Sequence, residues 1–197
     1  MKSILRHFAI IALCCTAQTQ SLCAVEPGFI PLLDRDHTDG WKQCGNTEMR
    51  VKDGVATTWA PNDKAKGLYW YHLRQFRDFV IRLEFSLDGP TSNSGVFVRF
   101  PRLANDPYAA SLQGYEIQIY GGAEKVHPTG EIWSFQPPTS VPQRMNGWNE
   151  MEVTVIGQHY TVVLNGTKVT EFNGSRNTEG YIGLQNYPGA SVHLRNV

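Results

Sequence analysis

Charge is scarce in this 197-residue sequence, with 18 basic and 18 acidic residues and a formal net charge of zero. Charged residues make up 18%, below the roughly 25% of an average soluble domain. With no basic run or acidic tail, a nucleic-acid binder that works by neutralising phosphates is disfavoured. Long apolar runs are also missing. The stretch from Phe8 to Cys15 has eight residues, against the roughly 20 needed to cross a bilayer. Only four cysteines occur, three of them (Cys14, Cys15, Cys23) near the start, so Cys44 alone belongs to the body of the chain and a disulfide framework is not expected. A Cys23 to Cys44 bridge stays open. No His-x-x-x-His pair, Cys/His cluster or calcium-loop spacing is present, so no metal is expected. A Gly-x-Ser-x-Gly elbow and a phosphate-binding loop are likewise absent. Beyond the start, no segment of twelve or more residues keeps a 3.6-residue apolar period, which excludes a helical architecture.

What is abundant points elsewhere. Eighteen glycines and eleven prolines are spread along the chain, and Phe, Tyr and Trp together make up 11%. Lys2 and Arg6, the short apolar run and the small or polar residues after it form the pattern of a secretory signal peptide, spanning about 1–23 with cleavage between 17 and 24. The expected mature protein is exported, periplasmic or secreted, and begins near residue 24 as one domain of ordinary size. Its 16 basic and 18 acidic residues imply no strong electrostatic partner.

Strand signals recur through that domain. Met151 to Ile156, Tyr160 to Leu164 and Thr167 to Phe172 are β-rich runs separated by Gly157-Gln158 and Asn165-Gly166. Asn-Gly between apolar runs marks a two-residue hairpin turn, since both turn positions need positive φ. Phe79, Ile81, Leu83 and Phe85 alternate with Val80, Arg82, Glu84 and Ser86. The same period returns in Val96 and Val98, in Tyr115, Ile117 and Ile119, and in Ile182 and Leu184. The expected architecture is all-β, a two-sheet antiparallel sandwich with inner faces packed together and an outer face free to carry a site. Two long irregular stretches, Pro101 to Leu112 and Gly121 to Gly147, are natural walls for a ligand.

The ordered series Asn93-Ser94-Gly95-Val96-Phe97-Val98-Arg99, Gly114-Tyr115-Glu116-Ile117-Gln118-Ile119, Leu164-Asn165-Gly166 and Gly183-Leu184-Gln185 resembles the secreted bacterial 3-keto-disaccharide hydrolase family. Gly28-Phe29, Asp39-Gly40-Trp41, Trp148-Asn149-Glu150 and Arg195-Asn196-Val197 extend the resemblance over nearly all of the mature chain. It implies a concanavalin-like jelly roll that cleaves glycosides already oxidised to a ketone at sugar C3. The ketone acidifies the C2 hydrogen, so a base can remove it, the C1 leaving group departs and water adds back, with no nicotinamide cofactor. Four departures from the family pattern are visible: Tyr120-Gly121-Gly122 where an Asp is usual, Glu131 in place of a small residue, Asn186-Tyr187 where a His is common, and an end at Val197 that looks like a truncated last strand.

Three roles need filling: a base at C2, a donor or cation at the C3 oxygen, and an acid for the departing oxygen. Alternation puts Glu116 and Gln118 opposite Tyr115, Ile117 and Ile119, so Glu116 is the leading acid/base candidate. Asn93 and Arg99 fall opposite Val96 and Val98, and Arg99 is the candidate cation. Gln185 supplies a further hydrogen bond, His127 is a candidate mobile base in a Pro- and Gly-rich loop, and Trp70 and Trp133 are candidates for stacking on a sugar ring. Blander readings stand beside these: Glu116 paired structurally with Arg99 or Arg82, Asn93 as a strand-entry turn, His127 as a solvent-exposed loop residue, and the two tryptophans as plain packing. A non-catalytic carbohydrate-binding or surface-interaction module on the same sandwich is the alternative function, and the departures from the family pattern favour it.

Overall fold

A computed structural model describes residues 26–33, 38–122 and 126–197. The chain divides into two units at Ile30. In the first, the described residues form a turn closed by the Phe29 N–H donating to the Glu26 carbonyl at 3.0 Å. The expected signal peptide and Cys23 lie outside the described residues.

The second unit, Pro31–Val197, is built from β1 (Trp41–Gly45), β2 (Glu48–Lys52), β3 (Val55–Trp59), β4 (Gly67–Phe76), β5 (Phe79–Leu87), β6 (Asn93–Phe100), a short helix α1 (Tyr108–Gln113), β7 (Tyr115–Tyr120), β8 (Asn149–Ile156), β9 (His159–Leu164), β10 (Thr167–Asn173), β11 (Gly180–Asn186) and β12 (Val192–Arg195). A five-stranded sheet runs β1-β4-β11-β6-β7 and a seven-stranded sheet runs β10-β9-β8-β5-β12-β3-β2. Every pairing is antiparallel. This is the expected jelly-roll sandwich.

Periodicity explains the packing. Val96, Val98, Tyr115, Ile117, Ile119, Ile182 and Leu184 of the smaller sheet meet Leu83, Phe85, Met151, Val153, Val155, Val162 and Leu164 of the larger one in a single buried cluster. Truncating one of these, Phe85 for example, costs about 3–5 kcal/mol through lost burial and the cavity left behind. The hairpin between β9 and β10 turns on Asn165 (φ 49°) and Gly166 (φ 77°), the two positive-φ positions that the Asn-Gly pair supplies. Trp41 anchors the chain before β1, its indole N–H donating to the Leu32 carbonyl at 2.6 Å. Strand β12 is paired on both sides, with β5 and β3, so it is an interior strand.

The two long stretches are less irregular than the sequence implies. The first holds α1, whose Ala110 packs with Leu103 against Leu68, Trp70, Phe97, Phe100 and Tyr181 on the outer face of the smaller sheet. The second lays residues 130–133 along β7: the Gln118 N–H donates to the Glu131 carbonyl at 3.0 Å and the Trp133 N–H to the Glu116 carbonyl at 2.9 Å. Ile132 is bridged to Ile117 and is fully buried. Both loops therefore border the outer face of the smaller sheet, one as an apolar cover and one as an extra edge.

Candidate functional site

Strand register arranges that outer face in rows. Trp70, Gly183, Phe97 and Glu116 lie side by side across β4, β11, β6 and β7. In the next row Gly95 stands opposite Gln118, and Gln185 opposite Leu68. Because side chains alternate along each strand, the polar members of both rows point away from the sandwich core. The edge formed by residues 130–133 continues the pattern. With Ile132 turned inward, Glu131 and Trp133 share the face of Glu116 and Gln118.

Glu116 reaches across β6 to accept a hydrogen bond from Gln185 Nε2 at 2.6 Å. Its path runs over Gly95, where an added Cβ would lie 2.6 Å from Glu116 Oε1. Only a residue without a side chain leaves that path open. Glu116 is 4% exposed, and burial, reinforced by the negative field of Glu131, pushes its carboxyl up to about 8 against the lowering effect of the Gln185 hydrogen bond. The group is therefore mostly protonated at neutral pH, which leaves a proton donor on the outer face of the sheet.

Its companions are ordered as well. Gln118 Nε2 donates to Asn93 Oδ1 at 3.0 Å. Glu131, 7% exposed, accepts the Ser134 N–H at 3.1 Å and lies 3.2 Å from His127 Nδ1. The His127 and Trp133 rings are 5.7 Å apart. Glu131 thus orients the exposed His127 imidazole on the segment that lies beside β7, the strand carrying Glu116.

Two expected members do not join this group, and both are corrections. Arg99 is an extra residue in β6: Tyr181 pairs with Phe100 and Ile182 with Val98, leaving Arg99 in a β-bulge at φ 62°. The bulge breaks the alternation that put Arg99 beside Asn93. Its guanidinium is fully buried, donating to the Phe76 carbonyl at 3.3 Å and the Gly157 carbonyl at 2.9 Å, with Asp78 Oδ1 at 3.6 Å. It serves one end of the sandwich, and Arg82 is likewise held elsewhere, on Glu152 at 2.6 Å. Trp70 is on the outer face but 4% exposed, packed edge-on against Tyr181 at 4.8 Å and roofed by the segment carrying α1. No ring face remains for a sugar. Trp133, by contrast, is half-buried beside the carboxyls.

Sequence reasoning overlooked Glu131 as a member of the site. The readable signal was the alternation Glu131, Ile132, Trp133, an inward aliphatic flanked by outward functional residues, inside a stretch otherwise rich in proline. At Asn186-Tyr187, where the resembled family commonly has a His, Asn186 is fully buried and donates to the Glu48 carbonyl, and the Tyr187 hydroxyl accepts from the Lys66 ammonium.

The model of the 3-keto-alpha-glucoside-1,2-lyase-like domain matches residues 28–197. The chain belongs to this family. A search of curated proteins gives no match. Among solved structures, two proteins of Parabacteroides distasonis, each provisionally described as a glycosyl hydrolase, are similar to the chain. One is 26% identical with a TM-score of 0.60, over 79% of this chain and 96% of its own. The other is 20% identical with a TM-score of 0.68, over 84% and 90%. The carbohydrate-binding module CBM66 of Bacillus subtilis is 14% identical with a TM-score of 0.56, over 80% and 96%, and shares the fold. The chain is thus a β-sandwich of a carbohydrate-active, glycosyl-hydrolase-like family.

Proposed function

We propose that the protein cleaves glycosides carrying a ketone at sugar C3, by elimination across C1 and C2 followed by addition of water. The observation that carries this reading is the protonated Glu116 carboxyl held over Gly95 by Gln185, beside the Glu131–His127 pair. In this reading His127, oriented by Glu131, removes the C2 proton, and the electrons pass through the enolate of the C3 ketone to form the C1–C2 double bond. The bond from C1 to the leaving oxygen breaks, and that oxygen takes the proton of Glu116. Glu116 then takes a proton from water as the hydroxyl adds to C1, and His127 returns its proton to C2, restoring the 3-keto sugar and both groups. No electrons leave the substrate, so no redox cofactor is needed. Gln118 and Asn93 hold the sugar hydroxyls and the C3 oxygen, the role first given to Arg99. Trp133 lies under the ring. Family membership and the glycosyl-hydrolase description of the 26% identical relative support the reading. Export across a membrane belongs to the same proposal, supported by the basic start and short apolar run.

A second reading, a carbohydrate-binding module without catalysis, is favoured by one observation. Where the family commonly has a His, this chain has Asn186, buried and turned to Glu48, and Tyr187, whose hydroxyl accepts from the Lys66 ammonium. Incubating the mature protein with a 3-keto-disaccharide and separating the products over time distinguishes the two. Release of both monosaccharides, abolished in Glu116→Gln, supports the enzyme. Binding of the keto-disaccharide without turnover sinks it in favour of the module.

A further inference from the structure

We propose that the cleft on the far side of Gln185 is a leaving-group subsite shaped for an aromatic aglycone, so that aryl 3-keto-glycosides are preferred over 3-keto-disaccharides. This rests on the reading of Glu116 given above. The cleft is shallow and open to solvent, and its lining includes Lys66, Phe97, Pro107, Tyr108, Gln185 and Tyr187. Gln185 is the shared wall. Its amide nitrogen holds Glu116, and the same side chain lines the cleft, so whatever occupies the cleft is next to the proton donor.

The polar capacity of the cleft is small. Ser111 Oγ is engaged with the Tyr108 carbonyl at 3.0 Å, and Gln185 Nε2 with Glu116. What remains is the Lys66 ammonium, which donates to the Tyr187 hydroxyl and has further N–H groups to offer, together with the tyrosine hydroxyls; Gln185 Oε1 is unpartnered but buried away from the opening. A second sugar brings several hydroxyls, each of which loses a water partner on entry and needs a replacement. An aryl aglycone brings a flat apolar ring and only the glycosidic oxygen, an acceptor, which matches one cation and walls of Phe97, Pro107, Tyr108 and Tyr187.

The main chain at Lys66 is held by Asn46: the backbone N–H of Lys66 donates to Asn46 Oδ1 at 2.8 Å and its carbonyl accepts the Asn46 N–H at 3.1 Å. Pairing of Gly67 with Asn186 sets Lys66 opposite Tyr187. Its Nζ lies 3.9 Å from the Tyr187 ring centroid and 5.8 Å from that of Tyr108, which is 53% exposed at the rim. An aryl ring entering there stacks between aromatic edges and a cation, and the negative charge growing on its departing oxygen develops in the field of the ammonium.

The test compares kcat/KM for 3-keto phenyl glucoside, 3-keto 4-nitrophenyl glucoside and a 3-keto-disaccharide in the wild type, Tyr108→Ala and Lys66→Met. The wild type is expected to favour the phenyl glucoside over the disaccharide by about tenfold, with Tyr108→Ala removing most of that preference. Lys66→Met is expected to slow the phenyl substrate more than the nitrophenyl one, because the better leaving group needs less help. Equal use of aryl and disaccharide substrates, or variants that slow all three in parallel, overturns the proposal. If no keto-substrate is turned over at all, the proposed activity fails. The subsite is then judged by free phenol, whose binding must shift the amide signals of Gly67 and Gln185 in wild type and not in Tyr108→Ala.

Discussion

The outer faces of the two sheets carry the same residue types to opposite ends. On the seven-stranded sheet, Arg82 and Glu152, Arg50 and Glu48, and Lys168 and Glu171 form solvated pairs at 2.6–3.2 Å. Such exposed pairs are each worth less than about 1 kcal/mol. On the five-stranded sheet, Glu116 and Glu131 are nearly out of solvent with an amide and an imidazole as partners, and Glu116 has moved to about 8. The strands are alike. What differs is cover: two loops fold back over one sheet and remove water from Glu116, a carboxyl that a bare face would leave ionised.

The sharpest way to break that contrast is to exchange the carboxyl on each face for its amide. Glu116→Gln is expected to lower turnover of a 3-keto-disaccharide by about 10²–10³ with the circular dichroism spectrum unchanged. A loss below tenfold removes Glu116 from the chemistry.

The next effect is on stability against pH, and its sign follows from the raised value. Between the ordinary carboxyl value of 4.5 and about 8, the folded protein holds a proton on Glu116 that the unfolded chain releases. Stability therefore falls as pH rises through that window, by an amount on the order of a few kcal/mol, and levels off above it. Denaturant melts from pH 4.5 to 9 should show this decline in wild type and a flatter line in Glu116→Gln. Parallel lines would mean that Glu116 titrates as an ordinary surface acid does.

A smaller change sharpens the geometric half of the comparison. Gly95→Ala puts a methyl 2.6 Å from Glu116 Oε1 and displaces the carboxyl from Gln185. Turnover is expected to drop about tenfold and stability to fall by about 1–3 kcal/mol, since a buried carboxyl loses its hydrogen-bond partner. Activity within twofold of wild type would show that the crossing over β6 is dispensable.

The smallest effect belongs to the solvated face. Glu152→Gln, which removes one charged partner of Arg82, should shift stability by under about 1 kcal/mol and leave turnover within twofold. A larger loss in either would erase the distinction between the faces.

Alternation was enough to read the strand positions, the Asn165-Gly166 turn and the common face of Glu116 and Gln118, because each depends on neighbours within a few residues. It failed at Arg99 for a local reason with a distant cause. One extra residue in β6, accommodated only because β11 pairs on either side of it, rotates the guanidinium toward Phe76 and Gly157. It failed at Trp70 because nothing near that tryptophan in the chain says that Leu103 and Ala110 will cover it. Glu131 escaped notice because its strand-like setting exists only through hydrogen bonds to β7.

By itself, the order of residues determined an all-β sandwich, the inward and outward sets of most strands, and a family likeness resting on Asn93–Arg99, Gly114–Ile119 and Gly183–Gln185. Tertiary structure alone decided which outward residues lose water and which charges meet. A carboxyl changes its proton affinity through desolvation and the fields of groups brought near by folding, and neither is written in the spacing of a single strand.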